Sequence, residues 1–395
     1  MMPARFKNMA AAVLTFCVPA MFLTGCWDSR TIEDQLILTG ISMDVSDNPN
    51  QISVMAQGAN IKQGKAGSGE TGNEGGDEFI VLKATGDSVM ACLTEIDRDS
   101  SQRILFPHNQ IRLFGIELAE QGIQKHLDLI MRDPKARFEV PLAIVDGRGE
   151  EALTAKLAEM PISALFLGNL FEAQAGISVQ YRVRLIDFVQ RLLDDAASPV
   201  VPIIKVTTGE DEKQEIKIAG MAVFHGDKMV GRLTNEEAIG YILSFGDVKR
   251  CNISVYDGTD IAGLHIATLD CKREVTLQQD GGVRVSLTIN SVANVSELHG
   301  FEEMKPPELL KHLENLAQEE IKNKITGCFS AAQTLAADIF GFCTMVFKKY
   351  PRQWSEMKDR WSELFTDIDL HVQVKVRIPE TGQIVQSLEI EENMK

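Results

Sequence analysis

Alternation of apolar and polar residues predicts two half-buried strands in the C-terminal part of the chain. In residues 283–290 the odd positions are apolar and the even positions are polar, and the same period of two runs through residues 368–378. Because side chains alternate between the two faces of a strand, each segment should bury one face and leave the other in water. The chain between them reads as helices. We therefore predict an antiparallel sheet covered by helices on one face.

Apolar residues at helical spacing predict these covering helices. Leu309, Leu313 and Leu316 follow the i, i+4, i+7 pattern, and proline residues occupy the first turn, where no N–H donor is needed. The same period predicts two further helices, over residues 331–349 and 354–365.

The N-terminal part alternates between strand-like and helix-like segments. Strands are predicted over residues 36–44, 51–57, 79–84, 106–115 and 139–145, and helices over 117–132, 150–159 and 184–194. Such alternation is typical of an α/β region. A hairpin is then predicted over residues 215–230, followed by a helix in which Thr234 and Glu237 form a capping box.

The 395 residues exceed what one hydrophobic core usually serves. We predict a mixed α/β and α+β protein of about three domains, with helices packed on mixed sheets. The predicted units are a signal peptide at 1–25, an N-terminal α/β region at 26–205, a middle β-rich domain at 214–274 and a C-terminal α+β domain at 275–395.

Residues 58–77 are rich in glycine and contain little to bury, which predicts a mobile surface loop. The alternative is a phosphate-binding loop. The sequence does not favour it, because the segment contains no G-x-x-x-x-G-K-[ST] motif and no G-x-G-x-x-G motif before a helix.

The start of the chain reads as an export signal. Two basic residues precede the apolar run 9–22, and residues 23–26 read Leu-Thr-Gly-Cys. The run is short for a membrane span, which needs about 20 apolar residues. The ending resembles the bacterial lipobox, in which the cysteine is lipidated and becomes the new N-terminus. Cys26 would then be an S-diacylglycerol cysteine with an N-linked acyl chain. The alternative is a plain signal peptide with an incidental cysteine.

The formal net charge of −16 makes the chain acidic. Nucleic acid and anionic lipid headgroups should repel such a surface, so nucleic acid is not an expected partner. The lipid on Cys26 would therefore be needed to keep the protein at a membrane.

The cysteines beyond the lipobox show no C-x-x-C pair, and no histidine stands in ligand spacing. They are Cys92, Cys251, Cys271, Cys328 and Cys343. No metal site is predicted. Export permits disulfides, and Cys251 with Cys271 is the first pair to test. The default interpretation is buried free thiols that pack as small apolar residues.

No catalytic constellation stands at diagnostic spacing, so we predict no enzyme and no cofactor. His108 lies in a loop-to-strand position, where a structural hydrogen bond is favoured over catalysis. Trp354 and Trp361 are seven residues apart on an amphipathic helix, where core packing is favoured over a ligand cage.

A series of short segments is similar to the Ger(x)C lipoproteins, the C subunits of GerA-type nutrient germinant receptors in spore-forming bacteria. The resemblance covers essentially the whole chain after the signal. The segments are residues 26–30, 41–44, 107–108, 122–123, 132–134, 220–224, 228–233, 337–341, 349–354 and Trp361.

This resemblance implies a three-domain lipoprotein on the outer face of the spore inner membrane, acting with membrane-embedded A and B subunits in nutrient detection. Of the family's functional positions, only the lipidated cysteine carries over, as Cys26. An alternative from another class is an extracytoplasmic solute-binding lipoprotein, which would hold a nutrient between two similar doubly wound lobes. A cell-wall lytic enzyme is a third, weaker hypothesis.

Overall fold

The computed structural model describes residues 35–59, 79–134, 136–177, 182–194, 196–209, 213–246, 248 and 251–379. Within these ranges the chain forms two β-sheets with helices packed on them. The predicted mixed fold class is therefore confirmed.

The first sheet has ten strands. They are β1 Gln35–Val45, β2 Ile52–Ala59, β3 Phe79–Gly86, β4 Arg103–Leu105, β5 Ile111–Gly115, β6 Pro141–Val145, β7 Val183–Arg184, β8 Val200–Thr208, β9 Gln214–His225 and β10 Lys228–Leu233. The order along the sheet is β10-β9-β8-β6-β5-β1-β2-β3, with β4 beside β1 and β7 beside β6. Strands β8, β6, β5 and β1 pair in parallel, and antiparallel strands flank them on both sides.

Helices bury both faces of the parallel strands. The helices of this region are α1 Val89–Asp99, α2 Ile116–Gln121, α3 Gln124–Arg132, α4 Gly149–Thr154, α5 Ser163–Ile177, α6 Leu185–Leu192 and α7 Asn235–Leu243. Leu113 and Val145 share a core with α4 and α5 on one face, whereas Phe114 and Ile144 share a core with α1, α2, α3 and α6 on the other. Burial on both sides explains why β5 and β6 are nearly continuous apolar runs.

The prediction of one helix over residues 117–132 was wrong, because the chain breaks between α2 and α3. Gly122 adopts φ 116°, which is outside the helical region and is open mainly to glycine. The next helix begins where the N–H of Gln124 donates to the carboxylate of Asp227, 3.2 Å away. That contact joins α3 to the turn between β9 and β10.

The second sheet contains β11 Cys251–Asp257, β12 Asp260–Leu277, β13 Val283–His299 and β14 Asp369–Arg377, in that order. The chain between β13 and β14 forms α8 Pro306–Thr334, α9 Phe342–Lys349, α10 Pro351–Met357 and α11 Trp361–Thr366. Leu309 and Leu313 of α8 are buried in the core of this sheet, as their spacing predicted.

The prediction of an antiparallel C-terminal sheet holds for β11, β12 and β13 but was wrong for β14, which pairs in parallel with β13. A parallel pair needs a crossover long enough to return the chain to the same end of the sheet. Helices α8 to α11 provide that crossover.

The prediction of one helix over residues 331–349 was also wrong, because α8 ends at Thr334 and α9 begins at Phe342. The carboxylate of Asp338 accepts hydrogen bonds from the N–H groups of Phe342 and Cys343, at 3.1 Å and 2.7 Å. These are donors that the first turn of a helix leaves unpaired, so Asp338 fixes the start of α9.

The division into three domains stays a prediction. Strands β8 and β9, on either side of the predicted linker, pair with each other in the first sheet. Residues 274 and 275, where the last boundary was placed, lie inside β12.

Candidate functional site

The predicted lipidation residue, Cys26, lies outside the described residues, as does most of the glycine-rich segment. The assignment of a lipid to Cys26 therefore stays a prediction.

A cavity of about 740 Å³ lies beside the first sheet, between α1, α3 and the segment that leads into β5. We call it the N-terminal cavity. Its lining residues are Ile41, Met43, Val89, Met90, Leu93, Thr94, Asp97, Arg103, Ile104, Leu105, Phe106, Asn109, Arg112, Leu129, Ile130, Asp133, Pro134, Ala136 and Arg137.

The floor of the N-terminal cavity includes a charged residue on an apolar face of the sheet. Arg112 pairs with Ile41 of β1 on one side and with Leu142 of β6 on the other. Residues paired across neighbouring strands point to the same face, so the arginine stands between two aliphatic side chains. Only 6% of Arg112 is exposed.

The guanidinium of Arg112 is incompletely hydrogen-bonded. Its Nη1 donates to the carbonyl oxygen of Arg137, 3.1 Å away, whereas Nε has no hydrogen-bond partner among the described residues. Burial lowers the pKa of Arg112 to about 10, and the nearby charge of Asp133 opposes this shift. Burying a cation is costly unless its charge is well compensated, and Asp133 offsets only part of the effect of burial on Arg112. The site would gain from a negative charge placed on this guanidinium.

Asn109 adds a second buried donor to the N-terminal cavity. It is 3% exposed, and its Oδ1 accepts a hydrogen bond from the N–H of Ile111 at 3.1 Å. Its Nδ2 has no partner among the described residues. Unpaired buried donors are rare in native proteins, and each requires an explanation such as a ligand or an ordered water.

His108, which the sequence singled out, precedes this asparagine in a short 3₁₀ turn, Phe106–His108. The side chain of His108 is exposed, and its backbone carbonyl accepts a bond from Gln110 Nε2 at 3.0 Å. His108 is not among the residues that line the N-terminal cavity, whereas Asn109 is. The loop therefore contributes Asn109 to the cavity, and not His108, the residue that the sequence indicated.

The walls of the N-terminal cavity are mainly apolar. Helix α1 lines it with residues at the i, i+3, i+4, i+7 positions of one helical face: Met90, Leu93, Thr94 and Asp97. The adjacent face of α1, with Cys92 and Ile96, packs into the core. Helix α3 contributes Leu129 and Ile130, and the exposed Asp97, Arg103 and Arg137 add charges of both signs. A cleft with a mostly apolar lining and a few polar groups is typical of small-molecule sites.

A second polar cluster lies where the two sheets meet. Arg191 Nη1 donates to the carbonyl oxygen of Ile339 and Arg273 Nη2 donates to that of Phe340, both at 2.6 Å. The guanidinium of Arg273 lies over the rings of Phe245 and Phe342, 4.6 Å and 5.2 Å from their centroids. These contacts join the two sheets, which indicates a structural role, and Arg191 and Phe245 also line a neighbouring cavity of about 480 Å³.

The two tryptophans of the predicted covering helix belong to this packing. Trp361 is buried, and its Nε1 donates to the carboxylate of Asp338 at 3.0 Å. Trp354 stands edge-on to it, with ring centroids 5.2 Å apart. The core interpretation of Trp361 is therefore confirmed, and its polar N–H explains the choice of tryptophan over phenylalanine.

The five cysteines of the described ranges are free thiols, so Cys251 and Cys271 are not bridged. Burial raises the pKa of each of these two thiols to about 11. A thiol that remains protonated is a poor nucleophile and a poor metal ligand. Within the described ranges, no group of three or more His, Cys, Asp and Glu side chains is arranged to hold a metal ion.

None of the helices in the described part of the chain combines the length and the apolar composition that crossing a bilayer requires.

The fold and the cavity define a two-sheet, mixed α/β protein with a partly polar cavity beside its first sheet. The chain belongs to the GerAC family of spore germination proteins. Residues 28–206 match the family model described as the spore germination protein N-terminal domain, and residues 219–382 match the model described as spore germination B3/GerAC like, C-terminal. The resemblance inferred from the short segments is thereby confirmed.

Individual relatives are similar along nearly their whole length. The spore germination protein KC of Bacillus subtilis (strain 168) is 22% identical, over 95% of this chain and 96% of the relative. The spore germination protein GerQC of Bacillus cereus is 20% identical, over 93% and 98%. The crystal structure of the GerBC protein is similar with a TM-score of 0.56 and 16% identity, over 86% of this chain and 97% of that one. This last similarity concerns the fold.

Proposed function

We propose that this protein is a non-enzymatic, lipid-anchored subunit of a nutrient germinant receptor. It acts with membrane-embedded A and B subunits to trigger spore germination, and it is held by Cys26 on the outer face of the spore inner membrane. The observation that carries the proposal is the family match along both halves of the chain, together with the Leu-Thr-Gly-Cys sequence at residues 23–26.

The lipid would provide the membrane attachment that the acidic protein surface does not. Each buried methylene contributes about 0.8 kcal/mol to membrane binding, so one acyl chain is marginal and two or more are stable. A diacylglycerol group with an additional acyl chain therefore offsets the repulsion between a chain of net charge −16 and anionic lipids.

The architecture favours a receptor subunit over a solute-binding lipoprotein. That alternative predicted two similar doubly wound lobes with a ligand between them. The two described sheets have ten and four strands and different topologies, and only the first has a parallel centre with helices on both faces.

The test is a Cys26→Ala substitution in the full chain, expressed in a spore-forming host fed with an alkyne-tagged palmitate. The unsubstituted protein should carry the label, and Cys26→Ala should lose it together with most of the nutrient-triggered germination. The matched control is Cys17→Ala, in the apolar run, which should keep both. A labelled Cys26→Ala protein, or undiminished germination without the label, contradicts the anchor.

Partnership is tested by purifying the tagged full chain from spore membranes under mild detergent. Two polytopic membrane proteins should co-purify with it in fixed ratio, and Cys26→Ala should recover less of both. A lipidated chain that is recovered alone contradicts the receptor assignment and leaves the anchor intact.

A further inference from the structure

We propose that the N-terminal cavity binds a small amphipathic monocarboxylate, with its carboxylate on Arg112 and Asn109 and its apolar part between α1 and α3. This inference rests on the cavity alone and does not depend on the proposed receptor role.

The first argument is the incomplete bonding of the cavity floor. Arg112 and Asn109 are both more than nine-tenths buried, and each has an N–H donor, Nε and Nδ2, without a partner among the described residues. Asn109 is held by its other end, through Oδ1 to the N–H of Ile111. A carboxylate offers two oxygens and about four acceptor positions, so it can accept hydrogen bonds from both a guanidinium and an amide.

The second argument is a comparison with the other buried arginine. Arg273 also has an Nε without a partner among the described residues, but its guanidinium lies over the rings of Phe245 and Phe342. Arg112 borders an open volume, and its neighbours on the sheet, Ile41 and Leu142, are aliphatic. Aromatic rings stabilise a buried cation and aliphatic side chains do not. An anion in the cavity would add to the partial charge compensation that Asp133 gives Arg112.

The third argument concerns the size and charge of the ligand. A volume of about 740 Å³ is within the usual range for small-molecule sites, and the walls from α1 and α3 are chiefly Leu, Met and Ile. The acidic side chains of Asp97 and Asp133 also line the cavity. With Arg103, Arg112 and Arg137 in the same lining, the formal charge is 3 − 2 = +1, which a single carboxylate balances and a phosphate or a polyanion exceeds.

The experiment uses the full chain reconstituted in nanodiscs and three probes of one carbon skeleton: 4-methylpentanoate, 4-methylpentan-1-ol and 4-methylpentylamine. Calorimetry should show saturable 1:1 binding of the carboxylate. The alcohol should bind at least about tenfold more weakly, since a charge-assisted hydrogen bond is replaced by a neutral one, and the ammonium should not bind. Absence of saturable carboxylate binding, or equal binding of the alcohol or the ammonium, overturns the proposal.

Two variants test whether the carboxylate binds in the N-terminal cavity. Asn109→Asp keeps the acceptor for the Ile111 N–H and puts an anion where the ligand carboxylate should lie, so carboxylate affinity should fall at least about tenfold. Leu93→Trp fills the space beside α1 and should abolish binding of the carboxylate even if Asn109→Asp fails to fold. The control is Arg98→Gln, at an exposed position of α1 that does not line the cavity, and its affinity should stay within about twofold of that of the unsubstituted chain. Unchanged affinity in Leu93→Trp, or in a folded Asn109→Asp, overturns the proposal.

Discussion

The Nη1 atom of Arg112 donates a hydrogen bond to the backbone carbonyl of Arg137, 3.1 Å away, and this bond ties β5 to the segment that follows α3. It is a single link from a side chain with five donors. This one hydrogen bond adds little to the stability of the segment after α3, because packing of α3 already positions that segment. The bond therefore orients the guanidinium more than it stabilises the fold.

Replacing Arg112 by Met should change the free energy of unfolding by no more than about 1 kcal/mol. The substitution removes the cost of burying the cation and leaves one carbonyl unpaired, and similar replacements of buried ions are often neutral. Urea denaturation of the full chain measures the change. Arg273→Met is the matched control and should cost about 2–4 kcal/mol, because it removes contacts to two aromatic rings and a 2.6 Å hydrogen bond to the carbonyl oxygen of Phe340. Equal losses in the two variants would make Arg112 a structural residue.

His126 should make the protein sensitive to mild acid. It is buried in α3, and burial lowers its pKa to about 4; Lys125 adds to the shift and Asp227 opposes it. The unfolded chain binds a proton near its ordinary pKa of about 6.5, so stability is lost as pH falls from about 6.5 towards about 4. From about pH 7 to about pH 5 this residue should cost about 2 kcal/mol.

The measurement is the free energy of unfolding at these two pH values for the unsubstituted chain and for His126→Leu. The variant should lose that part of the acid sensitivity. His108→Leu, which replaces an exposed histidine, is the control and should retain it. Identical pH profiles for His126→Leu and the unsubstituted chain would show that the ring does not carry this effect.

Two glycine substitutions, one in α7 and one in α8, should have opposite effects on the stability of the protein. A Cβ on Gly240 of α7 would collide with the backbone carbonyl of Lys324 in α8, which side-chain movement cannot relieve. Gly240→Ala should therefore destabilise the protein by about 1–3 kcal/mol. Gly327, inside α8, has open space around its Cβ position, and Gly327→Ala should stabilise by about 0.5–1 kcal/mol. Thermal unfolding of both variants tests the pair, and an unchanged or raised midpoint for Gly240→Ala would refute the close contact.

The sequence predicted best those helices and strands that bury one face, because burial of one face gives the apolar residues a regular spacing. The alternation over residues 283–290 became β13, and the capping box of Thr234 and Glu237 begins α7 with both of its hydrogen bonds present. Helix α5 was missed because its sequence is apolar nearly all round, so no amphipathic period marks it. The parallel pairing of β14 depends on where the crossover helices pack, which local pattern does not encode.

The candidate site was the least predictable part. Arg112 is the one charged residue of β5, and a charge inside a buried strand was the available signal. The role of Arg112 as part of a cavity depends on helices α1 and α3, which are separate in sequence from β5 and leave an open volume beside it. Cys26 was predicted from a contiguous motif, and that local chemistry needs no tertiary contact to be recognised.

Asp338 lies where the apolar helical period of residues 331–349 is interrupted between α8 and α9. Its substitution should lower the free energy of unfolding by more than the size of the side chain indicates. Its carboxylate accepts from the N–H groups of Phe342 and Cys343 and from Nε1 of Trp361, while its own carbonyl accepts from the N–H of Ser198 at 3.0 Å. Asp338→Asn keeps the shape but turns one acceptor oxygen into a donor that faces other donors. We expect a loss of about 2–4 kcal/mol in the free energy of unfolding.

A double-mutant cycle assigns that loss to the bond with the indole. Trp361→Phe removes the Nε1 donor, and its combination with Asp338→Asn should cost about 1–2 kcal/mol less than the sum of the single changes. Trp354→Phe is the control: it alters the neighbouring ring, whose centroid lies 5.2 Å from that of Trp361, without touching the hydrogen bond. Its coupling to Asp338→Asn should be below about 0.5 kcal/mol. If both tryptophan substitutions couple equally, ring packing and not the hydrogen bond carries the effect, and Asp338 then acts through the start of α9 alone.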